Sequence, residues 1–398
     1  MQFYTESILG KKSQLNKFSK LKYIEYISKC EQELEKSLNN KENFFFNTLS
    51  SHYQTSVEKN KYLLKKKLKN KILIVGMGGS VLGAKTIASY LGLDNYFFLD
   101  DLSVYDIFNL INKDLKNFSI FIISKSGNTL ETIINFNLLI KKIGKKFMKN
   151  FIIISQRNTN LHKFAINNNL IFFEHNSNLS GRYSVLSEVG LIMFSINKKE
   201  ILNAIQFVIS KKFKKILIKN TAFLFTLMKF SKVNQHVFLI YSKELLNFGY
   251  WHQQLLAESI GKDSIDFTPW VSMCPKDNHS IMQLFLGGKK NKFFSFLKIV
   301  KNKKDYLLTK NNLLNKNLNN TKLSKVIDAQ FNATVNVFKK NNIPHRVILI
   351  NEKKPKDLIS LFVYSMLETV LLCKMSRVNP FNQPAVESIK KETLRILK

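Results

Sequence analysis

The chain has 398 residues, 45% of them hydrophobic and 12% aromatic, with only 14 glycines and 6 prolines. That apolar content can offset chain entropy and excludes a disordered protein, while the low glycine and proline counts exclude collagen-like and proline-rich linker classes. Lys and Arg number 62 against 28 Asp and Glu, a formal net charge of +34, which raises nucleic acid as a partner without establishing it.

Residues 1–70 read as helical and charged, with Lys and Glu mixed among periodic Leu, Ile and Phe, and form an N-terminal segment packing on the body. From residue 71 the pattern changes. A short β-rich run, 71–75, ends in a glycine-rich turn and leads into a helix over 82–91. Further apolar runs at 119–123, 151–154 and 170–173 are separated by helical stretches, notably 129–145. Strand, turn and helix in alternation predict a parallel sheet covered on both faces. Helical segments between 184 and 232 lead to a second alternating region. Its strands are expected at 236–241, 266–271 and 346–350, and its helices at 244–260, 279–286, 324–341 and 355–374. The fold class is therefore α/β, built from two successive parallel-sheet units with additional N- and C-terminal helices. The first unit is assigned to 71–197, the second to 198–378, and a last helix within 379–398 starts at a turn rich in Asn and Pro. The stretch 301–320 is the expected exposed excursion.

Cys30, Cys274 and Cys373 lie far apart with no CxxC pair, so neither a disulfide framework nor a zinc site is expected and a reducing cytoplasm fits. Glu6 and the lack of an apolar core argue against a secretory signal at the N-terminus. The most apolar stretch, 358–373, is interrupted by Glu368 and bracketed by Asp357 and Lys374; it reads as a buried helix, and no membrane partner is expected. The basic runs at 65–67, 211–215 and 301–304 are short and scattered, and no nucleic-acid motif accompanies them. A composition heavy in Lys, Asn, Ile and Phe, residues of A- and T-rich codons, is a simpler source of the charge.

Several clusters carry chemistry. Gly76-Met77-Gly78-Gly79-Ser80-Val81-Leu82-Gly83 sits at a strand-to-helix turn, where glycines let backbone approach a ligand, although tight packing alone would also explain them. Ser124-Lys125-Ser126-Gly127-Asn128-Thr129 follows the next apolar strand and opens a helix. Three hydroxyls there exceed what an N-cap needs and suit a phosphate. Arg182, in Gly181-Arg182-Tyr183-Ser184, is by default a solvated cation. Gln254 and Glu258 share one helical face, and a carboxylate near a helix C-terminus is electrostatically unfavourable. His279 follows Asp277-Asn278 at a turn, and Glu387 to Lys390 lie in the C-terminal helix.

In order and spacing these blocks resemble the glucose-6-phosphate isomerase (phosphoglucose isomerase) family, from about residue 72 to 390. The blocks are G-M-G-G-S-V-L-G, S-K-S-G-N-T-L-E-T, G-R-Y-S-V-L-S, Q-Q-L-L-A-E-S-I-G-K, D-N-H-S-I-M-Q-L and N-P-F-N-Q-P-A-V-E-S-I-K. The first two are shared by many sugar-phosphate-binding proteins, whereas E-S-I-G-K and F-N-Q-P-A-V-E are more specific. The resemblance implies two sugar isomerase (SIS) domains, a homodimer, no cofactor and no metal. It implies a reversible isomerisation of glucose 6-phosphate and fructose 6-phosphate through a cis-enediol, in glycolysis and gluconeogenesis. Carried onto matching positions, Glu258 is the proton-shuttling base and Arg182 stabilises the enediolate. His279, supplied by the other subunit, and Lys390 serve ring opening. Ser124, Lys125, Ser126 and Thr129 hold the phosphate, and Gly79, Ser80 and Gln254 border the sugar.

Some positions depart from the family pattern. Cys274-Pro275-Lys276-Asp277 stands where Gly-Thr-Thr-Asp is usual, and Pro275 removes an N–H donor from the turn before His279. Ser180 precedes the glycine of the arginine motif, Ile389 replaces a glycine before Lys390, and the chain is short for the family. The alternatives are a non-catalytic SIS sugar-phosphate sensor, which need not keep Glu258, Arg182, His279 and Lys390, and an isomerase that also accepts mannose 6-phosphate.

Overall fold

The computed structural model describes residues 2–4, 17–40, 43–53, 55–56, 62, 64, 68–191, 194, 198–263, 265–301, 305–308 and 318–397. The basic run 65–67, residues 302–304 of the run at 301–304, and the middle of the expected excursion lie outside these. The strands among the described residues are β1 (Gln2–Tyr4), β2 (Lys71–Gly76), β3 (Tyr96–Leu99), β4 (Phe118–Ile123), β5 (Phe151–Ser155), β6 (Ile171–Glu174), β7 (Gln235–Ile240), β8 (Thr268–Met273), β9 (Lys292–Ile299) and β10 (His345–Ile350).

Two compact units are present. One comprises Lys36–Ile205, Tyr250–Leu255 and Phe381–Lys398; the other comprises Met1–Glu35, Gln206–Gly249 and Leu256–Pro380. The first holds the sheet β3-β2-β4-β5-β6, parallel throughout. The second holds β1-β10-β9-β7-β8, parallel except for β1, which pairs antiparallel with β10. Numbered from the first parallel strand of each unit, the order is 2-1-3-4-5 in one and 2-1-3-4 in the other, with β1 in the fifth place. The two sheets are versions of one topology.

That order places a switch point between the first and third strands, where successive connections run to opposite sides and a crevice opens at the carboxyl edge. In the first sheet the switch point lies between β2 and β4. Both are near-continuous Ile, Val, Leu and Phe, as strands covered on both faces require, and β4 is buried at all six residues. Leu73, Val75, Ile120, Ile122 and Ile153 build this core with Phe118, Phe136 and Phe151. The second core is richer in rings, with Phe294, Phe296, Phe331 and Phe338 packed on Val237 and Leu239.

The described elements depart from sequence expectation in instructive places. β3 is a four-residue edge strand, too short for a periodic signal. In β9 the sequence Lys-Phe-Phe-Ser-Phe-Leu-Lys-Ile looks half solvated, yet all eight residues are buried. Lys292 satisfies its ammonium on Lys289 O and Asn291 Oδ1, and Lys298 pairs with Asp328. The helix expected from 279 starts at Met282, with His279 in a preceding 3-10 turn. The C-terminal helix starts at Val386, after Pro384. The helix Pro355–Met375 is long and apolar enough to cross a membrane, and 89% of its most apolar window is buried inside the protein. Glu368, the charge that interrupts it, makes a bidentate pair with Arg346, whose Nη2 donates to Oε2 at 2.8 Å.

Candidate active site

The turn after β2 is a 3-10 helix, Gly78–Ser80, followed by the helix Leu82–Leu91. Gly78 has φ +51°, and a Cβ there would lie 2.7 Å from Gln254 Nε2. A Cβ on Gly79 would lie 2.3 Å from the Gly181 carbonyl carbon and 2.6 Å from Arg182 N. Backbone therefore packs on backbone, which only glycine permits. The close approach joins Gly79, the Arg182 turn and Gln254 in the first unit, with Ser80 donating its N–H to Met77 O.

Arg182 is not a solvated cation. It lies in the 3-10 turn Gly181–Leu186 and is 2% exposed. Nη1 donates to Gln383 Oε1 and Nη2 to Asn382 O, both at 2.9 Å. Ser180 Oγ donates to Phe381 O at 2.6 Å, so the replacement of the family's small residue by serine adds a tie to the same segment. Tyr183 packs between Phe45 and Phe381. Residues 381–383 thus clamp the arginine turn from 200 residues away.

The turn after β4 holds the hydroxyl cluster. Ser124 is buried, and its Oγ lies 2.8 Å from Thr129 Oγ1. Ser126 Oγ accepts the Asn128 N–H at 3.3 Å, and Gly127 takes φ +67° against Thr159. The helix Leu130–Ile143 that follows has no side-chain cap, whereas Ser103 and Thr159 cap the helices after them. Its first-turn N–H groups stay oriented toward the turn, a setting that favours anions. Lys125 is half-buried, and its ammonium has no hydrogen bond or ion pair among the described residues. Burial lowers its pKa below the ordinary lysine value, and the charge of Arg182 lowers it further.

In the second unit, Glu258 is half-buried near the end of the helix Leu246–Ile260, one turn beyond Gln254. The lysine of E-S-I-G-K, Lys262, donates to Ser259 O at 2.7 Å and Asn379 O at 2.6 Å. It satisfies a helix-end carbonyl and anchors the chain before the last motif. His279 is exposed on the 3-10 turn Lys276–His279, and its ring makes no hydrogen bond among the described residues. Asp277 holds that turn, accepting from Ser272 Oγ at 3.0 Å and Met273 N at 2.8 Å. The Pro275 carbonyl accepts the Asn278 N–H and so takes part in the turn. Lys390 belongs to the first unit, on the exposed helix Val386–Ile396, and pairs with Glu387 at 2.6 Å. It does not join the contacts around Arg182. Among the described residues no group of three or more His, Cys, Asp or Glu side chains is placed to hold a metal ion.

The model of the phosphoglucose isomerase family matches residues 55–397. The glucose-6-phosphate isomerase of Methanocaldococcus jannaschii is 30% identical over 345 residues, covering 82% of this chain and 84% of its own. The chain belongs to the phosphoglucose isomerase family. The glucose-6-phosphate isomerase of Mesomycoplasma hyopneumoniae (strain 7448) is 31% identical over 355 residues, 82% of this chain and 83% of its own. A crystal structure of a hypothetical protein from Thermus thermophilus shares the fold at TM-score 0.82 and 22% identity, over 96% of this chain and 99% of that one. A glucose-6-phosphate isomerase structure from Chlamydia trachomatis superposes at TM-score 0.73 and 19% identity, over 86% and 72%.

For this phosphoglucose isomerase family chain, sequence reasoning passed over Gln383, Asn382 and Lys262. All three lie inside recognised motifs. What hid them was that a motif shows which residues recur together, not which side chain meets a partner far along the chain.

Proposed function

We propose that this chain interconverts glucose 6-phosphate and fructose 6-phosphate by acid–base proton transfer, with no cofactor or metal. The observation that carries the reading is the turn after β4. It combines an unpaired half-buried ammonium, clustered hydroxyls and an uncapped helix start at a topological switch point, a place made for an anion. The family match and the printed activity of the relatives give that anion its identity as a sugar phosphate.

In this reading Ser124, Lys125, Ser126 and Thr129 hold the phosphate and orient the sugar, with Gly79, Ser80 and Gln254 along its length. After ring opening, the Glu258 carboxylate takes the proton from C2 of the aldose. The C2–H electrons form the C1–C2 double bond, and the carbonyl pair moves to O1, giving the enediolate form of a cis-enediol. Glu258 then returns the proton to C1 while the O2–H proton passes to O1, leaving the ketose. Arg182 offsets the negative charge that develops on oxygen. His279 and Lys390 assist ring opening and closing. An exposed imidazole on a turn fixed by Asp277 suits a group offered to a second copy of the chain, so the working form is a homodimer, acting in the cytoplasm in glycolysis and gluconeogenesis. A coupled assay of fructose 6-phosphate conversion with a chelator present tests the reading. Sustained turnover is expected. No conversion would overturn the isomerase assignment, and loss of activity only on chelation would overturn the metal-free mechanism.

A further inference from the structure

Beyond the carboxyl end of β6 lies a buried imidazole that no role above uses. His175 is 2% exposed. Its N–H donates to Ser155 O at 2.8 Å, and the next residue, Gln156, donates its N–H to Lys125 O at 3.1 Å. Ser155 and Gln156 therefore bridge His175 to the lysine of the turn after β4. His175 Nδ1 lies 3.0 Å from Asn176 O. A carbonyl can only accept, so Nδ1 carries the proton and Nε2 presents a bare lone pair. That Nε2 is buried and has no hydrogen-bond partner among the described residues. A buried acceptor after β6 and a half-buried donor after β4, the Lys125 ammonium, are each unsatisfied among the described residues, at strand ends on either side of β5.

We propose that His175 is a positioning residue for Lys125, its Nε2 lone pair accepting from the ammonium, directly or through one water, and holding that cation beside residues 124–129. The proposal rests on the phosphate reading of that turn. A carboxylate here would hold Lys125 more firmly but would cancel the charge an anion needs. A neutral imidazole holds it and leaves the charge intact. Burial keeps the ring neutral, lowering its pKa to about 4, and Lys125 pushes in the same direction. The Nδ1 bond to the Asn176 carbonyl fixes the orientation of the ring.

The test uses the full chain and compares His175→Asn with His175→Gln. Asn keeps an amide donor toward the Asn176 carbonyl and offers nothing at the Nε2 position, whereas Gln offers an oxygen there. Steady-state kinetics with glucose 6-phosphate and competitive inhibition by inorganic phosphate are the readouts. For His175→Asn, KM and the phosphate inhibition constant should each rise about tenfold with kcat within about twofold, and Gln should stay within about threefold of wild type. In a Lys125→Gln background, His175→Asn should add less than about twofold. Unchanged KM in His175→Asn, equal impairment by Asn and Gln, or a full penalty in the Lys125→Gln background would each overturn the proposal. Calorimetric titration with inorganic phosphate reads the same effect without turnover. A wild-type chain that bound phosphate but did not isomerise would therefore sink the function reading alone.

Discussion

At the switch point of the first sheet, the chain leaves β2 through a glycine turn and β4 through three hydroxyls and an unpaired lysine. At the corresponding point of the second sheet, Ser242 after β7 accepts the Ile299 N–H of β9 at 2.9 Å and ties the two strand ends together. The buried charges differ in the same way. Arg346 in the second unit donates to both carboxylate oxygens of Glu368, to Tyr364 Oη at 3.2 Å and to Ser295 Oγ at 2.7 Å, and Asn220 completes the network on Tyr364. Lys125 in the first unit has no such counter-ion. One topology, used twice, pairs a buried arginine with a carboxylate in one copy and leaves a half-buried ammonium without a counter-ion among the described residues in the other.

The largest expected effect lies in the chemistry. Glu258→Gln should lower kcat by about 10³–10⁴-fold while inorganic phosphate still competes for the site at near wild-type concentration. Steady-state kinetics would show it, and loss of phosphate competition would mean that Glu258 shapes the anion site as well. Breaking the closed network should act on stability instead. Glu368→Gln leaves Arg346 buried without its carboxylate and should cost about 3–5 kcal/mol in urea unfolding, with KM unchanged. A change in KM there would dissolve the contrast between the units.

His175 sharpens the comparison through pH. An unfolded histidine takes up its proton near pH 6.5, but folded His175 does so only near 4. Between those values the unfolded chain binds more protons, so stability is lost as pH falls through that window, by up to about 3 kcal/mol. In His175→Gln that component of the slope should vanish; a slope identical to wild type would assign it to other groups. The smallest effect concerns the open charge itself. Lys125→Gln should raise KM about 10–100-fold with unfolding stability within about 1 kcal/mol of wild type, because that ammonium has no counter-ion among the described residues and the His175 lone pair is the one acceptor assigned to it.

Much of this was legible in the sequence where chemistry and local structure coincide. Gly76 to Gly83 and Ser124 to Thr129 each follow an apolar strand directly, so chain order alone puts them at a sheet edge. The buried helix around Glu368 was also readable, since a single carboxylate in so apolar a stretch must find a cation inside. The burial of Arg182 was not, because it depends on Asn382 and Gln383, and nothing local marks that contact. β9 was hidden by lysines at both ends, whose ammonium groups find carbonyl, amide and carboxylate partners despite burial. His175 looked like any histidine until its two ring nitrogens could be told apart. The +34 charge remains a compositional background, against which Lys125 stands out as half-buried and without a hydrogen bond or ion pair among the described residues.

The central claim is that Glu258 carries a proton between C1 and C2 of a sugar phosphate. Solvent exchange tests it most directly. With glucose 6-phosphate in heavy water, proton NMR should show deuterium entering C2 during turnover by the wild-type chain, and none above background with Glu258→Gln at equal protein concentration. Exchange in Glu258→Gln at the wild-type rate, or conversion to fructose 6-phosphate accompanied by full retention of the C2 hydrogen as hydride, would contradict the account.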